Sequence, residues 1–318
     1  MIKQFLQLEK KPRKGLLPLE WIVLAYTLIT TLWILLAYTQ LTSPIQLLIE
    51  RGKILLIMGA MWLVYRLLPC RLTILARIGV QMALLAWWYP DTYEMNRILP
   101  NLDHWFAHYD QVLFHCQPAL WLPQTFSSPI ISEMMDMGYA SYYPMMVTVL
   151  LFYFFCRYKE FHRCATILIG SFFIYYLVFD FLPVVGPTFY YKAVGLNDIA
   201  HGVFPALGDY FNTHTDCLPS PGYTDGVFYQ AVEQAKAAGE RPTAAFPSSH
   251  VGVSTICMLL AYHARQKKLL WLLLPFYVLL CLATVYIQAH YAVDALAGLI
   301  SGTIIYFILY LCTRNLKK

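Results

Sequence analysis

Apolar stretches long enough to cross a hydrocarbon core, roughly 17 to 25 residues each, recur along the whole of this sequence rather than at one end. Composition agrees: of 318 residues 59% are hydrophobic and 13% charged, about half the charge of a soluble domain. Together these exclude a water-soluble protein and a lone membrane anchor. Eight helices are predicted, at about 18–39, 53–69, 71–90, 134–156, 164–185, 249–265, 269–288 and 291–312, in one integral membrane domain over 1–318. No repeat or low-complexity tract divides it.

The links between these helices alternate in charge. Lys10, Lys11, Arg13 and Lys14, then Arg71, then Arg157, Lys159 and Arg163, then Arg265, Lys267 and Lys268, then Arg314, Lys317 and Lys318 fall on one side. The positive-inside tendency makes that side cytoplasmic, with both termini. The short link Ser43 to Arg51, the loops 91–133 and 186–248, and the corner 288–290 face out; Arg51 and Lys53 run against the rule. Loop 91–133 mixes Trp105, Phe106, Leu113, Phe114, Leu120 and Trp121 with polar residues, as a segment lying in the interface does. Loop 186–248, rich in Gly, Pro, Tyr and Asp, is too long for a plain connection and is expected to fold as an outer lid. The net charge of +5 belongs to the basic links, and no aromatic-interleaved basic stripe points to nucleic acid. The run after Met1–Lys14 has no small-residue cleavage site, so the N-terminus reads as mature protein. Cys156, Cys257, Cys281 and Cys312 read as small hydrophobes, whereas Cys116 and Cys217 share the outer face, where an oxidising compartment would let them pair.

Chemistry concentrates in 246–302. Phe246-Pro247-Ser248-Ser249-His250 opens one apolar helix and His290-Tyr291-Ala292-Val293-Asp294 another, and polar groups at such ends are costly unless partnered or employed. Pro247, Ser248 and Ser249 mark a helix start, whose free N–H groups and dipole hold a phosphate beside His250 without many charged side chains. His290 and Asp294, four residues apart, project from one helix face. A carboxylate on one ring nitrogen fixes the tautomer and leaves the other nitrogen free to attack. Both helices start outside, so the histidines converge as a candidate centre for phosphoryl transfer. The bland alternatives are a serine cap beside an interfacial histidine and a satisfied structural His–Asp pair.

These residues resemble the type 2 phosphatidic acid phosphatase superfamily, whose motifs read K-x6-R-P, P-S-G-H and S-R-x5-H-x3-D. Pro247-Ser248-Ser249-His250 is similar to the second, with Ser249 in place of glycine, and His290 with Asp294 to the end of the third. The resemblance implies a six-helix phosphatase-like core, His290 as a nucleophile forming a phosphohistidine, His250 as the proton donor to the leaving oxygen, and Asp294 as support. The family's arginine falls on Thr284 and its serine on Ala283, and no K-x6-R-P occurs upstream. A missing cation weakens binding of a dianionic phosphomonoester more than of a diester. Phe-Pro-Ser-x-His followed by His-Tyr-x-x-Asp without the arginine looks like the inositol phosphorylceramide synthase branch, as do Gly186-Pro187 and Asp110 to Pro118.

Lys192 and Arg241 are candidates to replace the lost cation, with Ser248, Ser249 and Gly186 beside the phosphate. Asp180, near the outer end of the fifth helix, is expected to bind a head group, orient a histidine or make a structural hydrogen bond. His104, His108 and His115 with Asp103 and Asp110 have partial metal spacing, but no second motif completes a site, so no metal or cofactor is expected. Tyr139, Tyr142, Tyr143, Tyr175, Tyr176, Tyr190 and Tyr191 read as interface belt and packing, with the lining of a head-group pocket as the weaker alternative for some of them.

The expected activity is two-step head-group transfer from a phospholipid to a ceramide-like alcohol or diacylglycerol. The alternative is a lipid phosphate phosphatase, with water as acceptor. A transporter using Asp180, Asp294 and Arg66 comes third, because the polar residues gather at one outer face and no inverted repeat is visible. The expected partners are lipids and the membrane. The active site is expected on the extracytoplasmic face. A bacterial inner membrane is preferred over a Golgi or endoplasmic reticulum lumen because the chain is short and has no sorting tail.

Overall fold

The computed structural model describes residues 5–10 and 12–314, and its regular structure is entirely helical. Met1, Lys11, Lys317 and Lys318, which the expected topology used, lie outside the described residues. Proline sets several helix starts, its missing N–H costing nothing in the first turn. It opens α1 (Pro18–Leu36), α2 (Pro44–Leu67), α6 (Pro118–Thr125), α7 (Pro129–Ala140) and α10 (Pro187–Val194). The chain between and beyond adds α3 (Arg71–Ala83), α4 (Leu85–Asn96), α5 (Asp103–Phe114), α8 (Tyr142–Cys156), α9 (Tyr158–Phe181), α11 (Leu196–Ala200), α12 (Val227–Gly239), α13 (Ser249–His263), α14 (Lys267–Tyr286) and α15 (Ala292–Cys312).

The fold is an all-α polytopic bundle. By length and composition α1, α3 with α4, α9, α14 and α15 can each cross a membrane, and α7 with α8, bent by 46°, makes a sixth span if counted as one. Eight were expected. Of the two others, α2 carries Glu50, Arg51 and Lys53 in its first half, and α13 has 15 residues. The link expected at Ser43 to Arg51 is instead the first turns of α2, and the expected loop 91–133 is largely helical, in α4 to α7.

Helix α9 is the centre: 78% of its apolar stretch is buried, against 39% or less for the other four spans, α1, α3 with α4, α14 and α15. A helix apolar on every face belongs in such a position. Charge crosses the bundle as pairs. Arg77 is bonded to Glu20 with both side chains fully buried, joining α3 to α1. Arg51 donates to Asp91 at 3.0 Å, joining α2 to α4. Arg51 therefore broke the positive-inside rule because it is a buried partner, not a topological signal. Buried charge is also not confined to the histidine end, as the sequence argument against a transporter assumed, although Arg66 is exposed and lies over the Trp62 ring. Arg163, expected in a link, is buried in α9, where it donates to Tyr310 O at 2.8 Å.

Glycine brings α13 and α15 together. A Cβ on Gly298 would strike Ser248 O, and one on Gly302 would strike Gly252 O. Four-residue spacing of small residues permits such close helix contact in lipid. The two helices thereby start side by side, with His250 on one and Asp294 on the other.

Candidate active site

Three segments meet at this corner. At the start of α13, Ser248 N donates to Asp294 O at 3.0 Å and the Ser248 hydroxyl accepts from Val251 N at 3.4 Å. The next two amides, Ser249 N and His250 N, donate to no group among the described residues. They are the open donors that a helix start offers an anion. The start of α15 is closed by contrast. Tyr291 N donates to Asp294 Oδ2 at 2.9 Å, and Ala292 N and Val293 N each donate to Asp110 at 2.9 Å. Of the two helix starts, only the one bearing His250 is open.

The second segment is the turn 287–291, which carries His290. Its amide donates to Thr284 O at 2.9 Å, and Gln288, at φ 65°, bonds Ala119 O through its side chain at 3.1 Å. The third is 183–188. Gly186, at φ 91°, comes so close to the turn that a Cβ would lie 2.6 Å from Ala289 O. Val185 N and Gly186 N each donate to Asp103 at 2.8 Å, and Asp103 also accepts from the Tyr291 hydroxyl at 3.0 Å. Thr188 N donates to Gln288 O at 2.8 Å. Gly186 thus shapes the turn that holds His290. Burial raises the Asp103 carboxyl and lifts that of Asp110 to about 6, against the pull of their N–H donors.

His290 is 4% exposed. Its Nδ1 lies 2.7 Å from Ala245 O and 3.7 Å from Asp294 Oδ2. The carbonyl therefore accepts the Nδ1 proton, and Nε2 carries the lone pair. This role was expected of Asp294, but its Oδ2 is occupied by Tyr291 N and its Oδ1 has no partner. Burial pulls His290 below the ordinary histidine range to about 4, with the Ala245 bond opposing. It is neutral at pH 7. Its Nε2 faces His250 Nδ1 at 3.5 Å, and His250 sits against the rings of Tyr139 and Tyr142, with centroids 4.7 and 4.3 Å away.

The other expected residues lie apart. Lys192 and Arg241 are exposed and line a cleft of about 590 Å³ in the 186–248 region. That cleft also holds Lys236, Asp216, Glu233 and Glu240, so its cations are matched by carboxylates. Arg241 Nη1 donates to Glu240 O at 3.0 Å. Among the described residues no Lys or Arg bonds either histidine. Asp180 accepts from the Tyr26 hydroxyl at 3.2 Å, between α9 and α1. Thr284, at the family's arginine position, is fully buried. Cys116 and Cys217 are free thiols. The sequence reading missed Ala245 O, weighed Asp103 and Asp110 as partial metal ligands rather than as acceptors for backbone amides, and read Tyr139 and Tyr142 chiefly as interface belt and packing.

A family model described as the PAP2 superfamily matches residues 104–308, from α5 into α15. Helices α1 to α4 lie outside the match. No curated protein and no solved structure matches the chain.

Proposed function

The chain belongs to the PAP2 superfamily, whose chemistry is hydrolysis or transfer of lipid phosphate groups, and on that premise we propose a phospholipid head-group phosphotransferase acting through a phosphohistidine. The observation that carries the reading is the histidine pair: a neutral, buried His290 whose Nε2 points at His250 Nδ1 at 3.5 Å, beside an open helix start. In the first step the Nε2 lone pair attacks phosphorus, the P–N bond forms and the bond to the leaving oxygen breaks. His250 enters as the imidazolium, a form favoured by the arriving phosphate's charge, and gives that oxygen its proton. In the second step His250 takes the proton of an acceptor hydroxyl, the new P–O bond forms, and His290 recovers its lone pair. Ala245 O and Asp294 stabilise the charge that His290 carries between the steps. Ser248 orders the helix start, and Ser249 N and His250 N bind the phosphate.

A diester donor and an alcohol acceptor are favoured because no cation reaches the histidines, and a dianionic monoester depends most on one. The inositol phosphorylceramide synthase type, with a ceramide-like acceptor, is the form we propose, with the site on the extracytoplasmic face. The units proposed are one integral membrane domain over 1–318, an interfacial 91–133, a lid at 186–248 and a catalytic region at 246–302. The test is to incubate the purified protein in detergent with a panel of phospholipids and lipid phosphomonoesters, with and without ceramide, and follow free phosphate and new lipids by mass spectrometry. A His290-dependent sphingophospholipid supports transfer. Free phosphate from monoesters regardless of acceptor makes the protein a phosphatase, and silence in both channels overturns the enzyme reading.

A further inference from the structure

A cavity of about 680 Å³ lies between α14 and α15, with Val251 of α13 in its wall. Helix α6, whose Ala119 O holds the Gln288 side chain, borders it near the histidine turn. Among the described residues no charged side chain lines it, and its one hydroxyl, on Tyr277, is engaged with Thr255 at 3.0 Å. Leu282 and Leu296 in its walls are 45% and 49% exposed. The recess is therefore apolar and open on the side of two spans that meets lipid tails.

Its depth matches one leaflet. Along α15 it runs from Ala292 to Leu299, about 10 Å at 1.5 Å per residue, and along α14 from Val285 back to Tyr277, about 12 Å. The hydrocarbon of one leaflet is about 15 Å deep, half of the roughly 30 Å core. Its outer end adjoins both histidines: Val251 follows His250 directly, a Cα step of about 3.8 Å, and Ala292 stands two residues past His290.

Transfer brings two lipid alcohols to this place in turn. When His290 Nε2 bonds phosphorus, the leaving oxygen departs on the opposite side and takes a proton from His250. The acceptor hydroxyl then attacks from that same side, returning a proton to His250 as the P–N bond breaks. Both oxygens therefore carry their chains from one point beside His250.

We infer that this recess holds one acyl chain of the lipid alcohol, first of the diacylglycerol that leaves and then of the alcohol that accepts. The inference rests on the transferase reading and names the chain subsite that donor and acceptor share.

The test places the full-length protein in nanodiscs of dioleoylphosphatidylcholine with a diacylglycerol that carries a photoreactive diazirine in its acyl chain. Crosslinks mapped by mass spectrometry should fall on 277–285 and 292–299 and vanish under excess unlabelled diacylglycerol or ceramide. Crosslinks spread over the lipid-exposed Ile304 and Ile308, or persisting under competition, overturn the subsite. Ala295→Phe fills the recess. In head-group exchange from a phosphorus-labelled phospholipid it should raise the KM for dioleoylglycerol about tenfold, as the loss of about two buried methylenes does. The KM for dihexanoylglycerol should change less than threefold, and Ile304→Phe should change neither. Equal changes for both chain lengths, or none for either, overturn the subsite; the wild-type crosslinks answer if Ala295→Phe folds poorly. A wild-type protein that labels no histidine overturns the transferase reading instead, and the crosslinks still judge the recess.

Discussion

Gly186→Ala probes the link between the 183–188 segment and the histidine turn. Gly186 has φ 91° and ψ 166°, a region nearly reserved for glycine, where a side chain costs about 1–3 kcal/mol. The added Cβ would also lie 2.6 Å from Ala289 O, against 3.4 Å for an ordinary contact. That carbonyl, one residue before His290, must then retreat by about 0.8 Å, and a misplacement on the order of 1 Å costs ~10²-fold in rate. Gly195→Ala supplies the control, because it has a similar φ of 99° and nothing within 4 Å of its Cβ. Rapid-quench labelling at saturating donor, with thermal unfolding of the same samples, should show both variants destabilised but only Gly186→Ala slowed 10- to 100-fold. Equal labelling rates in the two folded variants would refute a tight coupling between Gly186 and His290.

Other outcomes follow from the same corner. Asp110→Ala removes two amide–carboxylate bonds of 2.9 Å, each worth ~1.5 kcal/mol or more with a charged acceptor. It should cost about 3 kcal/mol in unfolding measurements, with Asp110→Asn losing less. The pKa of His290 is about 4 in the folded state against 6.5 for an ordinary histidine, so the unfolded chain binds the proton more tightly. Its contribution is complete above pH 6.5 and is lost as pH falls toward 4, by up to ~3 kcal/mol. Asp110, raised from 3.8 to about 6, acts in the opposite sense over that lower window. Unfolding curves from pH 7.5 to 4.5 should therefore lose less stability in His290→Asn than in wild type. Thr284→Arg, which restores the family's arginine, should destabilise the protein rather than raise phosphatase activity, because position 284 is fully buried and the charge would have no partner. Thermal unfolding and release of phosphate from a lipid monoester check it.

The sequence made the helical bundle and the meeting of His250 with His290 and Asp294 legible through local signals: apolar run length, a serine cap and i, i+4 spacing. The remaining features depend on contacts distant in sequence. Asp110 caps a helix more than 180 residues away, and a backbone carbonyl, Ala245 O, leaves no mark in residue type. Arg51 looked like a topology exception because its partner, Asp91, lies on another helix 40 residues on. Tyr139 and Tyr142 were visible, but only packing distinguishes a ring on His250 from one in an interface belt. Lys192 and Arg241 were chosen for charge, and folding gathered them with carboxylates instead.

The most direct measurement of the central claim is the isomer of the phosphorylated residue. Brief reaction with labelled donor, alkaline quench and mass-spectrometric and phosphorus NMR analysis would locate the phosphate. With Nδ1 bonded to Ala245 O and Nε2 facing His250, the account predicts phosphate on His290 Nε2, absent from His290→Ala. Phosphate on His250, on Nδ1 of His290 or on no histidine at all would contradict it.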